Sequence, residues 1–245
     1  MLHRDAMLIV LDKPAGLAVH PGPRTPDSLE RYLDALRFGL RERPRLVHRL
    51  DRDTSGCLML ARHTKAVRRL SALFASSQVR KIYWAVVEGN PRADEGTFDQ
   101  PLKKQTRKEG WRMVVDPAGQ RAVTHYRVLG RGNGLAWLEL APETGRTHQL
   151  RVHCASAGFP ILGDPVYGRG ASKVPMHLHA RSIALPPRGT HPALTVTAEP
   201  PEHMREALRW CGYHKTAANP PAAQPSPSPP RKRGSMDARF RGHDD

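Results

Sequence analysis

The chain has 245 residues, 39% of them hydrophobic and 25% charged, which suits one sizeable soluble domain or two small ones. With 39 Lys and Arg against 23 Asp and Glu, the formal charge is +16; the expected partner is a polyanion, nucleic acid ahead of an anionic membrane because no basic amphipathic anchor or lipidation signal is visible. No apolar run nears the roughly 20 residues that span a bilayer, the N-terminus lacks a signal-peptide core, and three isolated cysteines (Cys57, Cys154 and Cys211) argue against a disulfide framework or a zinc knuckle, so a cytoplasmic protein is expected.

In chain order, MLIVLDKPAG reads as a short buried strand ending in a Pro-Ala-Gly turn. DSLERYLDALRFGL has helical spacing, with Asp27 and Glu30 as a capping box. CLMLA is a buried strand, and TKAVRRLSALFAS is a helix capped by Thr64. KIYWAVVEG is a strand, the basic segment Lys103 to Met113 reads as a loop, and RAVTHYRVLGRGNGLAWLELA is a hairpin turning at Gly132-Asn133-Gly134. THQLRVHCASAG is a short helix from Thr147, stopped at Gly158, with Arg146 at its entry. PMHLHARSIAL and ALTVTA are late strands, and PEHMREALRWCGY is a final helix. Hairpin-joined strands with packed helices predict an α+β fold with a largely antiparallel mixed sheet. The predicted organisation is a folded domain over 1–214 and a disordered, Pro-rich basic tail over 215–245, a composition that cannot bury enough apolar surface to offset chain entropy. Residues 215–245 hold six of the Lys and Arg and three of the Asp and Glu, so the remainder keeps a charge of +13.

Several chemistries are absent from the pattern. There is no phosphate-binding P-loop, no G-x-S-x-G elbow and no H-E-x-x-H, and GRGNGL lies between strands, where a hairpin explains it. The thirteen histidines form no zinc-spaced set, so no metal is expected. Three stretches remain. In LVHRLDRDTSG, Asp53-Thr54-Ser55-Gly56 reads as a turn. Asp51, between Arg49 and Arg52, reads as a carboxylate kept ionised by neighbouring guanidinium groups. Local rules alone leave Asp51 and Asp53 as rivals. In VRKIYWAVVEG, the alternation around Tyr83 fits core packing better than base stacking. In ETGRTHQLRVHCASAGFPILGD, Arg151 fits a phosphate contact, a bidentate carboxylate pair or a solvated helix face.

Taken together and in this order, these stretches resemble the RluA-type pseudouridine synthases. The resemblance runs from about Leu8 to about Leu208, through VLDKPAGLAVHPG, VHRLDRDTSGCLMLA, the K-x-Y of RKIYW, TGRTHQLRVHCASAGFPILGDPVYG and LHARSIAL. The family's H-R-L-D-x-x-T-S-G pattern is matched in full by His48 to Gly56. The resemblance implies an enzyme that converts uridine in rRNA or tRNA to pseudouridine without cofactor or metal, acting as a monomer. It implies Asp51 as the catalytic aspartate, Arg151 as its buried partner, and Tyr83 as the residue that packs on the target base and assists the late proton transfer. Arg49 maps onto the arginine that fills the space of the flipped nucleotide, and His48, Arg146 and Leu150 join it on the RNA-binding side. The S4 RNA-binding domain of many relatives is not seen before the catalytic part. The competing readings are an RNA-binding factor without catalysis, which would be expected to have lost one of Asp51, Tyr83 and Arg151, and a glycosidase, which usually needs two paired acids.

Overall fold

The apolar runs LIVL, CLMLA and YWAVV become strands in the middle of one large sheet, because both faces of that sheet are covered and only nearly unbroken apolar segments fit there. The computed structural model describes residues 1–214 apart from 23–24, 26, 108–109, 171–173 and 190. The tail at 215–245 lies outside the described residues. The strands are β1 His3–Arg4, β2 Leu8–Lys13, β3 Arg45–Leu46, β4 Ser55–Ala61, β5 Arg80–Glu88, β6 Glu95–Asp99, β7 Leu102–Arg107, β8 Gly110–Val115, β9 Val123–Gly132, β10 Leu135–Pro142, β11 Leu178–Leu185 and β12 Leu194–Thr197. The helices are a 3-10 segment Leu29–Leu36, α1 Thr64–Ala75, α2 Gln149–Ser156 and α3 Glu202–Trp210.

The main sheet runs β1-β2-β4-β11-β5-β10-β9-β6, with β3 added to β4 and β12 to β11. Its described pairings are antiparallel except β4 with β11, which is parallel. Period-two alternation assigns the faces. From β4, Cys57, Met59 and Ala61 pack with Ala66 and Leu70 of α1, while Leu58 and Leu60 pack with Leu29 and Leu33 of the 3-10 segment. From β5, Trp84 and Val86 meet Met204, Ala207 and Leu208 of α3, while Ala85 and Val87 meet Leu150 and Cys154 of α2.

Local expectations fail where side chains find better partners. Over Leu29–Leu36 the helix is 3-10 rather than α, Ser28 is its N-cap, and no side chain caps it. The two residues of the expected capping box are engaged elsewhere: Asp27 accepts from the Tyr32 hydroxyl, and Glu30 pairs with His20. Helix α1 is capped by His63, whose Nδ1 accepts the Ala66 N–H, rather than by Thr64, whose hydroxyl donates to Glu42. Within the segment Lys103 to Met113, the described residues 103–107 and 110–113 are not a loop but parts of β7 and β8, paired antiparallel; residues 108–109 lie outside the described residues. The charged side chains of these strands hide the strand period, since neither face is fully buried.

Candidate active site

Asp51 lies on the loop between β3 and β4, and that loop is pinned on both sides. Leu50 is buried with Ile9, Leu58 and Leu60. His48 stacks on Phe74 at 4.7 Å, and its Nε2 accepts the Met59 N–H at 2.8 Å. That acceptance fits a neutral ring; burial, with the charge of Lys81 added, pushes its pKa down to about 3. After Asp51, the Arg52 carbonyl accepts from both Gly16 N and Lys13 Nζ at 2.9 Å. Lys13 is only 1% exposed, and its ammonium also donates to the carbonyls of Pro14 and Leu17 at 2.8 Å. Burial lowers its pKa to about 8, against the opposing charges of Asp53 and Asp51. The lysine of LDKPAG thus ties the end of β2 to the Asp51 loop. Lys13→Met leaves the Pro14 and Leu17 carbonyls without their donor, while Arg52 O keeps the Gly16 N–H, and is expected to lower the unfolding free energy by about 2 kcal/mol, read as a lower urea midpoint at unchanged slope.

The other end of the loop is shaped by its small residues. Asp53 accepts from Arg52 Nε at 3.1 Å, and Ser55 Oγ bonds His179 Nδ1 at 2.9 Å. Gly56 has φ +103, and a Cβ there would lie 2.3 Å from the Ala180 carbonyl oxygen. Only glycine allows β11 to approach β4 here.

Arg151 is delivered by α2, whose residues Gln149 to Cys154 are all buried. Gln149 locks the start of this helix. Its Oε1 accepts from Thr144 Oγ1 at 2.7 Å and from Arg146 N at 3.0 Å, and its Nε2 donates to Val123 O and Thr124 Oγ1 at 2.9 Å. Arg151 then joins two carboxylates. Nε and Nη2 hold Asp164 at 2.7 and 2.8 Å, and Nη1 donates to Asp51 Oδ2 at 3.2 Å. The Asp164 side chain is fully buried and also accepts the N–H groups of Val166 and Tyr167. Burial alone would raise the Asp164 pKa, but Arg151 and the two amides hold it below the ordinary carboxylate value. Burial likewise opposes the Arg151 charge and is outweighed by Asp164 and Asp51, so its pKa is raised. Arg151 is a fixed cation with one N–H face left for Asp51.

A cavity of roughly 500 Å³ opens beside this pair. All seven residues singled out in the sequence line it: Asp51, Tyr83, Arg151, His48, Arg49, Arg146 and Leu150. Burial raises the Tyr83 pKa, and the charge of Asp51 adds to this, so the side chain stays a protonated phenol. Arg49 is exposed, and Arg146 lies in the turn before α2 rather than on the helix, with Nε donating to Arg121 O at 3.1 Å. Three further residues had no role assigned from the sequence. Asp164 of GDPVYG reads locally as a turn aspartate before proline, which conceals its pairing with Arg151. His148 has φ 53, a strained value for a non-glycine residue. Its Nδ1 lies 3.0 Å from the Tyr167 hydroxyl, which already accepts the Met113 N–H at 2.9 Å. The other ring nitrogen, Nε2, lies 3.9 Å from Asp51 Oδ2. Burial lowers the His148 pKa, with Asp51 opposing the shift, so the ring is neutral. Trp111 of β8 stacks on this ring at 5.3 Å, bringing the basic hairpin to the edge of the site.

A carboxylate beside a fixed cation, in a cavity that a protonated phenol also lines, suits attack on or proton removal from a bound planar ligand. Among the described residues no cluster of His, Cys, Asp and Glu is placed to hold a metal ion, and no helix is long and apolar enough to cross a membrane.

Residues 7–156 match the RNA pseudouridylate synthase family. An uncharacterised RNA pseudouridine synthase of Zymomonas mobilis is 50% identical over 190 residues, covering 75% of this chain and 87% of that protein. A ribosomal large subunit pseudouridine synthase D of Xanthomonas campestris is 44% identical over 180 residues, covering 71% of this chain and 53% of that one. The solved structure of human RNA pseudouridylate synthase domain containing 4 superposes with a TM-score of 0.73 at 30% identity, covering 86% of this chain and 92% of that chain.

Proposed function

The chain belongs to the RNA pseudouridylate synthase family, and from that premise we propose that Asp51 is the catalytic carboxylate and that the substrate is a uridine in a structured loop of rRNA or tRNA in the cytoplasm. The observation that carries this reading is the Asp51–Arg151 pair, 3.2 Å apart on the wall of the cavity that Tyr83 also lines.

The reaction is an isomerisation. The C1′–N1 bond breaks, the uracil turns, a C1′–C5 bond forms, C5 loses its proton and N1 gains one. Atoms and electrons balance within the nucleotide and water, so the protein has to position and to move protons. A carboxylate opens the glycosidic bond either by attack at C1′ or by removing a ribose proton, and both routes need it ionised as the base shuts out water. Arg151 supplies a charge that does not itself titrate near neutrality, and Asp164 keeps that charge in place. Tyr83 offers its ring to the uracil and its hydroxyl to the late proton transfer at C5. Arg49, exposed at the mouth, fills the stack left by the extruded nucleotide. His48 and Leu150 line the pocket, and Arg146 meets the RNA from the turn before α2. Extrusion costs a few kcal/mol, least in a loop, and the +13 charge of residues 1–214 supplies phosphate contacts with the salt dependence these carry. Likeness to a protein named for the large ribosomal subunit supports rRNA as the first pool to search.

Pseudouridine mapping of rRNA and tRNA from cells with and without the gene tests the reading. At least one pseudouridine is expected to disappear with the gene and to return with the intact gene but not with an Asp51→Asn copy. Identical maps would overturn the proposal.

A further inference from the structure

Strand β5 carries a second polar side chain toward the cavity. Lys81 precedes Tyr83 by two residues, so both point from the same face of the strand, and both line the cavity. Of the other cations lining or bounding the site, Arg49 is exposed and met by solvent, and the buried or tethered ones are occupied. Lys13 is held by three carbonyls, Arg151 by Asp164 and Asp51, and Arg146 Nε by the Arg121 carbonyl. Lys81 differs: among the described residues its ammonium has no hydrogen bond and no ion pair. It is half-buried, and burial lowers its pKa with no carboxylate acting against the shift. Gly145 faces it without a side chain; a Cβ there would come 4.0 Å from Nζ. A partly desolvated cation without a counter-ion is unfavourable until an anion enters beside it.

We propose that Lys81 binds the backbone phosphate of the nucleotide whose base lies against Tyr83. The proposal rests on the uridine reading above and adds a substrate contact to it. Two residues along a strand advance about 6.7 Å, a span comparable to that from a base across its ribose to its phosphate. With the base on Tyr83 and the ribose turned to Asp51, the phosphate falls at Lys81. A compact ammonium suits one phosphate, whereas a guanidinium fork is already used where a bidentate carboxylate pair is needed, at Asp164. β5 thus acts as a ruler, grading contacts from base to backbone along one strand face.

The test is tritium release from total RNA labelled with 5-³H-uridine in cells lacking the gene, measured against RNA concentration over a range of KCl. Lys81→Met is expected to raise the RNA concentration for half-maximal release by about tenfold with the plateau rate within about twofold. The slope of log(kcat/KM) against log[KCl] should become shallower by about 0.7 to 1, the loss of one phosphate contact. Lys81→Arg should keep most of the slope. Lys81→Gln, with thermal melts of each variant, serves if the methionine variant fails to fold. Unchanged half-saturation and slope would overturn the proposal, and so would a lower plateau at unchanged half-saturation. Either outcome presupposes active wild-type protein. A wild type that releases no tritium from this RNA would instead remove the uridine reading itself.

Discussion

Replacing Asp51 with asparagine is expected to lower tritium release by at least about 10⁴-fold, because no neighbouring group can take over a charge that the reaction needs at one position. The geometry predicts that the fold survives. Arg151 keeps both bonds to Asp164 and loses only the 3.2 Å contact to Asp51, whose side chain retains 19% exposure. The loop itself is held by Leu50, His48 and the Lys13–Arg52 contact, none of which uses the Asp51 carboxylate. RNA affinity should therefore stay within about threefold, since it rests mainly on phosphate contacts. The control is Asp53→Asn. Asp53 contacts the exposed Arg52 side chain and does not line the cavity, so turnover should change by less than about threefold. Comparable losses from the two substitutions would return the rivalry between the carboxylates to where local turn rules leave it.

The contrast between these two aspartates shows what was legible in the sequence. Apolar runs announced β2, β4 and β5 because those strands are covered on both faces, and Gly132-Asn133-Gly134 announced the hairpin because few residues accept its turn, where Asn133 and Gly134 both have positive φ. The site was legible only through long motifs, since its contacts span large separations. Arg151 meets Asp51 from 100 residues away, and Ser55 meets His179 from 124. No local period encodes such pairs. Asp164 stayed without a role because its local chemistry, an aspartate before proline, is that of any turn, and its function depends on a guanidinium on another element. The hairpin β7–β8 was hidden for the opposite reason. Its strands carry Lys103, Lys104 and Arg112 outside the main core, so alternation gave no apolar stripe, and its packing on the site through Trp111 and Met113 is a tertiary fact.

Arg151→Met is expected to abolish turnover and, unlike Asp51→Asn, to destabilise the protein by about 3–5 kcal/mol, because it leaves the Asp164 carboxylate buried without its partner. The family resemblance casts Arg151 as the partner of Asp51; its pairing with Asp164 gives it a second task in the core. The pH dependence separates the two tasks. In the wild type the folded-state pKa of Asp164 lies below the ordinary value, so the unfolded chain binds the extra proton in that window. Its stabilisation is then fully present above about pH 4 and is lost as pH falls through the lower, folded value. Without Arg151, burial is the dominant remaining influence and lifts the Asp164 pKa above the ordinary range. The folded state now binds the extra proton, and stability should fall as pH rises from about 4 toward 7, by up to about 1.4 kcal/mol per pH unit. Urea unfolding from pH 3 to 8 should therefore show opposite slopes for wild type and variant on either side of pH 4. Adding Asp164→Asn to Arg151→Met should flatten the variant's slope and recover part of the lost stability while turnover stays absent. A wild-type-like slope in Arg151→Met alone would show that Arg151 does not hold the Asp164 carboxylate ionised, and recovery of turnover in the double variant would show that Arg151 is not required for the reaction.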